Sequence, residues 1–250
     1  MTTTAGMAVY LDWNATTVLR PEAEEAWLTA QRQAWANPAS SHRPGQQARA
    51  RADEARRELA RLLSAKPHEF IFTGSGTESI NLALHTALLA TAGQRRRVLA
   101  SAIDHSAVIR GAQRIDDLDL GLLPVDSCGR LDCDAMEAAL RAQPCALVCL
   151  QWANNELGTL HDLAEIIPLI RQADPETLIL VDACQGIGKA PCDLHAWGAD
   201  LVAGSAHKFG GPRVLVYVHA LGFVLRVKSM VVVSKMTAVL ARKMSPAHVP

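Results

Sequence analysis

Four short segments of this chain hold side chains whose type and setting could do chemistry. Gly74-Ser75-Gly76-Thr77 follows an apolar run and opens a helical pattern. Glycines there let backbone N–H groups approach an anion, and a helix N-terminus favours negative charge. The spacing is neither a Walker loop nor GxGxxG, so it suits one phosphate rather than a nucleotide. Taken alone, it is equally a tight turn with Thr77 as the cap. Asp182 directly follows Leu-Ile-Leu-Val. A carboxylate at that place can hold a proton on a ring nitrogen, bind a metal or cap a helix. Lys208 follows His207 and precedes Phe-Gly-Gly-Pro. An amine in a glycine-bounded loop can form a Schiff base once its pKa is depressed, although a lone lysine is more often solvated. His105, between Asp104 and Ser106, can stack on a flat ring, move protons or simply be hydrogen-bonded.

Several chemistries could use these parts. Ser75, His105 and Asp182 could be assembled as a hydrolase, but no GxSxG elbow supports that. His105, Asp182 and His207 could be drawn as a metal site, but their spacing matches no metal motif. A phosphate cradle, an acid, a ring-stacking group and a Schiff-base lysine are together what pyridoxal phosphate requires.

The elements that must position these residues alternate. Helical patterns are expected over Pro21–Trp35, Gln46–Leu63, Thr77–Ala92, Asp134–Arg141 and Asp162–Ala173, with another beginning at Ser106. Strands are expected at Ala8–Leu11, Glu69–Phe72, 98–101, 122–125, 146–150, 178–181 and 201–204. Strands alternating with helices give an α/β fold with a mainly parallel sheet. The strands are continuous apolar runs, as expected when helices cover both faces in three layers. In such sheets ligands sit beyond the carboxyl ends of the strands. There the sequence reads TGSGTES, IDHSAV, QWANNELG, DACQ and SAHK.

Composition narrows the class. The 250 residues are 49% hydrophobic and 20% charged, which suits a globular chain with a sizeable core. Twenty-five basic residues balance twenty-five acidic ones, against a nucleic-acid or anionic-membrane binder. The opening MTTTAGMAVYLD shows no secretory signal, and the longest apolar run, Val214–Leu225, is too short to span a membrane. Cys128, Cys133, Cys145, Cys149, Cys184 and Cys192 form no CxxC pair. They read as reduced thiols of a cytoplasmic protein.

The combined segments resemble the cysteine desulfurases, in the class V branch of the pyridoxal-phosphate aminotransferase fold. The matching stretches are YLDWNATT (10–17), NPASSH (37–42), FTGSGTES (72–79), DHSAV (104–108), NNELG (154–158), VDACQGIGK (181–189) and SAHKFGGP (205–212). The resemblance implies a pyridoxal 5′-phosphate enzyme with Lys208 as the Schiff-base lysine. Asp182 would pair with the pyridine nitrogen, His105 would stack on the ring and move protons, and Gln185 would bond the ring hydroxyl. Gly76, Thr77, Ser205 and His207 would hold the phosphate. Asn155 would lie by the ring and the substrate carboxylate, with Asn14, Ala15 and Thr16 near the substrate. The family takes sulfur from L-cysteine, leaving alanine and an enzyme persulfide for iron–sulfur cluster or thiolation pathways. It is homodimeric and works with sulfur acceptors or scaffolds. A selenocysteine lyase is the same-fold alternative, and a non-catalytic remnant is another. NNELG and HKFGGP favour the desulfurase.

The resemblance stops at Pro212. Residues 1–20 read as an N-terminal arm and 21–212 as part of the large cofactor-binding domain. Residues 213–250 read as an out-of-frame tail with no evolved fold, and the family's small domain, with its catalytic cysteine, is missing. Met230-Val231 read in the shifted frame gives glycine, Met236-Thr237 gives aspartate, and 239–244 can give Ala-Gly-Thr-Glu-Asn. That string resembles the family's continuation. None of the six cysteines sits in the family's loop context, so the chain as written is expected to lack turnover.

Overall fold

A computed structural model of the chain describes residues 9–91 and 93–212, and the backbone of 216–220. The strands are β1 (Phe70–Thr73), β2 (Arg97–Ser101), β3 (Asp119–Leu123), β4 (Leu147–Gln151), β5 (Leu178–Asp182), β6 (Leu201–Ser205) and β7 (Val216–Ala220). They form one sheet in the order β1-β7-β6-β5-β4-β2-β3. The pairs from β3 through β2, β4 and β5 to β6 are parallel, and β7 runs antiparallel to both β6 and β1. The helices are α1 (Pro21–Gln33), α2 (Arg43–Leu62), α3 (Gly76–Ala90), α4 (Ser106–Gln113), α5 (Cys133–Ala142), α6 (Leu163–Ala173) and the short α7 (Leu194–Trp197).

Alternation along the central strands sets the layers, because successive side chains face opposite sides of a sheet. Val98, Ala100, Leu147, Cys149, Leu178, Leu180, Leu201 and Ala203 pack against Ile80, Ala83, Leu84 and Ala87 of α3 and Val108 and Ala112 of α4. Leu99, Val148, Leu150, Ile179, Val181 and Val202 face the other way, onto α5 and α6 through Met136, Leu140, Ile166, Ile167 and Ile170. Each fully buried valine, leucine, isoleucine or methionine side chain among them contributes roughly 1.5–3 kcal/mol of transfer free energy. The strands are apolar on both faces for this reason, and the three-layer α/β arrangement expected from the sequence is the one observed.

Most element ends move by one to three residues, for local reasons. Pro124 has no N–H to donate, so the strand expected at 122–125 ends at Leu123 and begins earlier, at Asp119. Helix α3 is capped by Ser75 rather than Thr77: Ser75 Oγ accepts from Glu78 N at 3.1 Å, and the Glu78 carboxylate accepts from Gly74 N at 2.6 Å. The strand expected at Ala8–Leu11 does not form at 9–11, and Ala8 lies outside the described residues. The backbone bonds of the arm go instead to the loop after β6, with Thr17 N donating to His207 O and Arg20 N to Gly210 O, both at 2.9 Å. The expectation of no fold beyond residue 212 needs one correction. Val216–Ala220 fills the gap between β1 and β6, where two unpaired strand edges accept a β-branched segment. The rest of the tail lies outside the described residues.

Candidate active site

The carboxyl ends of five strands meet at one cavity of about 600 Å³. β1 supplies Ser75, Gly76 and Thr77; β2 supplies His105; β4 supplies Gln151 and Asn155; β5 supplies Asp182, Cys184 and Gln185; β6 supplies Ser205, His207 and Lys208. Asn14 and Ala15 of the arm close it from the opposite side. The cavity therefore brings together every site residue expected from the sequence except Thr16. Thr16 stands one layer back, with its Oγ1 3.0 Å from Nδ1 of His207.

Two glycines shape the walls. A Cβ on Gly76 would lie 3.1 Å from Cys184 Sγ and 4.0 Å from Ser205 Cβ, so the start of α3 can approach β6 closely only without a side chain. Gly186 lies flat on the Trp152 ring, where a Cβ would come within 2.0 Å. That contact fixes the path of the turn carrying Gln185 and Lys189. Asn154 braces the facing loop, accepting from Glu156 N and Leu157 N at 2.8 Å and donating to Gln151 Oε1 at 2.8 Å.

Lys208 Nζ donates to Asn14 O at 2.7 Å and Ala15 O at 3.0 Å. Partial burial pulls the Lys208 amine below its usual range, against the opposing pull of Cys184, Asp182 and Asp12. Asp182 is buried, and one of its carboxylate oxygens accepts from Cys184 N at 3.0 Å. Burial and the neighbouring Asp182 push the Cys184 thiol well up, so it stays protonated. Burial also raises the carboxyl of Asp104, the residue before His105. His105 caps α4 through Nδ1, which accepts from Ala107 N at 3.1 Å.

The aminotransferase class-V family matches residues 9–218. The chain belongs to that family. It is 36% identical over 207 residues to a cysteine desulfurase IscS of Dictyoglomus turgidum, covering 82% of this chain and 52% of that protein. It is 32% identical over 244 residues to a selenocysteine lyase of Rattus norvegicus, covering 86% of this chain and 56% of that one. Among solved structures, a NifS-like protein superposes with a TM-score of 0.83 at 32% identity, over 87% of this chain and 60% of that one. SspA in complex with cysteine superposes at 0.79 with 25% identity, over 85% and 61%. The chain spans about half the length of the curated relatives it matches.

Class-V family members of the desulfurase type are pyridoxal 5′-phosphate enzymes. The residues present fit that group. Ser205 Oγ is a buried hydroxyl without a partner among the described residues, beside the N-terminus of α3. A phosphate oxygen would supply the acceptor it lacks. The cavity also holds a buried carboxylate for a ring nitrogen and a primary amine of lowered pKa for an aldehyde. Among the polar lining residues, Asp12, Gln151 and Glu156 are not singled out by the sequence. Gln151 and Glu156 lie in the segment at the end of β4, where the strand-end rule applied residue by residue would have found them; Asp12 lies in the arm, which that rule does not reach.

Proposed function

We propose that this chain is the cofactor-binding part of a cysteine desulfurase, which takes sulfur from L-cysteine and leaves alanine. The reading is carried by the convergence of Lys208, Asp182, Ser205 and His105 on one cavity. When bound, pyridoxal 5′-phosphate supplies an aldehyde for amines and a ring that withdraws electrons. Lys208 offers the amine, and burial lowers its pKa. Asp182 keeps a proton at the ring nitrogen. His105 covers the ring face and exchanges protons there. Gln185 donates to the ring hydroxyl. Gly76, Thr77, Ser205 and His207 hold the phosphate, and Asn155, Asn14, Ala15 and Thr16 shape the substrate end.

The thiol that receives sulfur is not one of the six cysteines. Cys145, Cys149 and Cys184 are held up by burial, Cys145 to about 11. Cys133 and Cys192 are raised too, and the exposed Cys128 does not line the cavity. These 250 residues therefore bind cofactor without sustained turnover. The sequence beyond Ala220 belongs to a shifted reading frame, since the family match ends at residue 218 and β7 at Ala220; sequencing the DNA from the Arg213 codon onward tests that. Cytoplasmic location, a homodimer and a protein sulfur acceptor belong to the same reading; among the described residues no helix is long and apolar enough to cross a membrane.

The test is a titration of the 250-residue chain with pyridoxal 5′-phosphate, followed by visible absorption. A band in the wild type that Lys208→Ala lacks supports the assignment, and an identical band in both defeats it. A selenocysteine lyase is the second reading, favoured by the longer alignment to the rat protein. Competition between L-cysteine and L-selenocysteine for the band separates the two.

A further inference from the structure

Lys189 lies outside the cavity lining, and the site as described gives it no role. Its Nζ donates to Gln185 Oε1 at 2.8 Å and to Asn14 Oδ1 at 3.3 Å. An ammonium can only donate, so each of those amides must turn its oxygen toward Lys189. The amide nitrogens then have no choice of direction. Gln185 Nε2 donates to Asn14 O at 2.7 Å, and Asn14 Nδ2 donates to Asn155 O at 3.0 Å. The carbonyls of Asn14 and Asn155 demand the same orientation, because half a turn of either amide would set oxygen against oxygen; the cation adds a bridge between the two amide oxygens that the carbonyls cannot supply.

We propose that Lys189 is a positioning residue: its ammonium bridges the amide oxygens of Gln185 and Asn14, locks those side chains in the orientation in which their N–H groups donate, and holds the arm closed over Lys208. The proposal rests on the cavity being the pyridoxal 5′-phosphate site. It matters most once Lys208 is engaged by an aldehyde. Lys208 then no longer donates as an ammonium to Asn14 O and Ala15 O, and the side-chain hold on Asn14 passes to Gln185, Lys189 and Asn155. Partial burial and repulsion from Lys208 lower the pKa of Lys189, as expected of a cation kept beside a second amine.

The test uses the full 250-residue chain as wild type, Lys189→Met, Gln185→Met and the double variant. Half-saturation by pyridoxal 5′-phosphate is read from the visible band, and backbone hydrogen exchange is read at Ala15 and Thr17 without cofactor. Lys189→Met is expected to raise half-saturation about tenfold, the worth of one lost charged hydrogen bond, and to speed exchange in the arm. If Lys189 acts through Gln185, adding Lys189→Met to Gln185→Met changes half-saturation less than twofold. Wild-type half-saturation and exchange in Lys189→Met overturn the proposal, as does a second full tenfold loss in the double variant. If Lys189→Met does not fold, Lys189→Gln, which can both donate and accept, replaces it with the same expectations. A wild type with no Lys208-dependent band sinks the cofactor reading instead, and arm exchange then decides the role of Lys189 by itself.

Discussion

The cavity has two walls built on different principles. One is made of strand ends: Asp182 and Ser205 are 6% and 2% exposed and continue strands buried along their whole length. The other is the arm, where Val9 and Leu11 are 79% and 82% exposed. Core packing fixes the first wall. Hydrogen bonds between Asn14, Thr16 and Thr17 and residues 155, 185, 189, 207 and 208 fix the second. Geometry held by burial is lost only by unfolding. Geometry held by a few half-exposed bonds can open while the core stays folded.

The sharpest way to break this contrast is one truncation in each wall. Ile179, fully buried in β5, shares that strand with Asp182. Ile179→Ala should cost about 2–5 kcal/mol of global stability, read from denaturant midpoints at unchanged slope. Thr17 Oγ1 donates to His207 O at 2.8 Å. Thr17→Val should leave the global midpoint within about 0.5 kcal/mol while hydrogen exchange in the arm accelerates several-fold. Equal global losses in the two variants would mean that the arm belongs to the cooperative core.

That division also marks what the sequence makes legible. Continuous apolar strands such as LVCL and LILV announce themselves because burial on both faces leaves no room for polar residues. The strand-end rule then locates Asp182, Ser205, His207 and Lys208 without any knowledge of contacts. The arm is different. VYL (9–11) is apolar enough to suggest a strand, yet its backbone finds no strand partner, and only the fold shows that its neighbours bond to residues some 190 positions away. Lys189 is hidden for a related reason. Its role depends on which way two amides point, a matter of three-dimensional donor bookkeeping that no spacing encodes.

Ser205 sharpens the comparison within the rigid wall. Its buried Oγ has no partner among the described residues, so the cost of its desolvation is not offset within them. Ser205→Ala should therefore leave the cofactor-free protein as stable as wild type or stabilise it by up to about 1 kcal/mol. The same change should weaken pyridoxal 5′-phosphate binding about tenfold by removing a phosphate donor. Losses of both stability and affinity would mean that the hydroxyl serves the fold rather than the ligand.

The smallest effect concerns how the rigid wall responds to acid. His161 is buried with Nδ1 2.8 Å from Gln151 O, and its Nε2 accepts from Leu131 N at 3.3 Å. Accepting at Nε2 requires a neutral ring with its proton on Nδ1. Burial lowers the pKa of the ring accordingly. The folded state thus resists a proton that the unfolded chain takes up near pH 6.5. The contribution is whole above that pH and is lost as pH falls from about 6.5 toward the lower folded value. Burial of His85 acts in the same direction, whereas the raised carboxyl of Asp104 favours the folded state as pH falls. Subtracting a variant from the wild type at each pH cancels both. His161→Asn retains an N–H for Gln151 O and loses the acceptor for Leu131. It should be about 1 kcal/mol less stable at pH 8, and the gap should close by pH 5.5. A gap that stays constant would mean that the ring titrates freely, and that the anchoring of Gln151, one side of the cavity, does not depend on a neutral histidine.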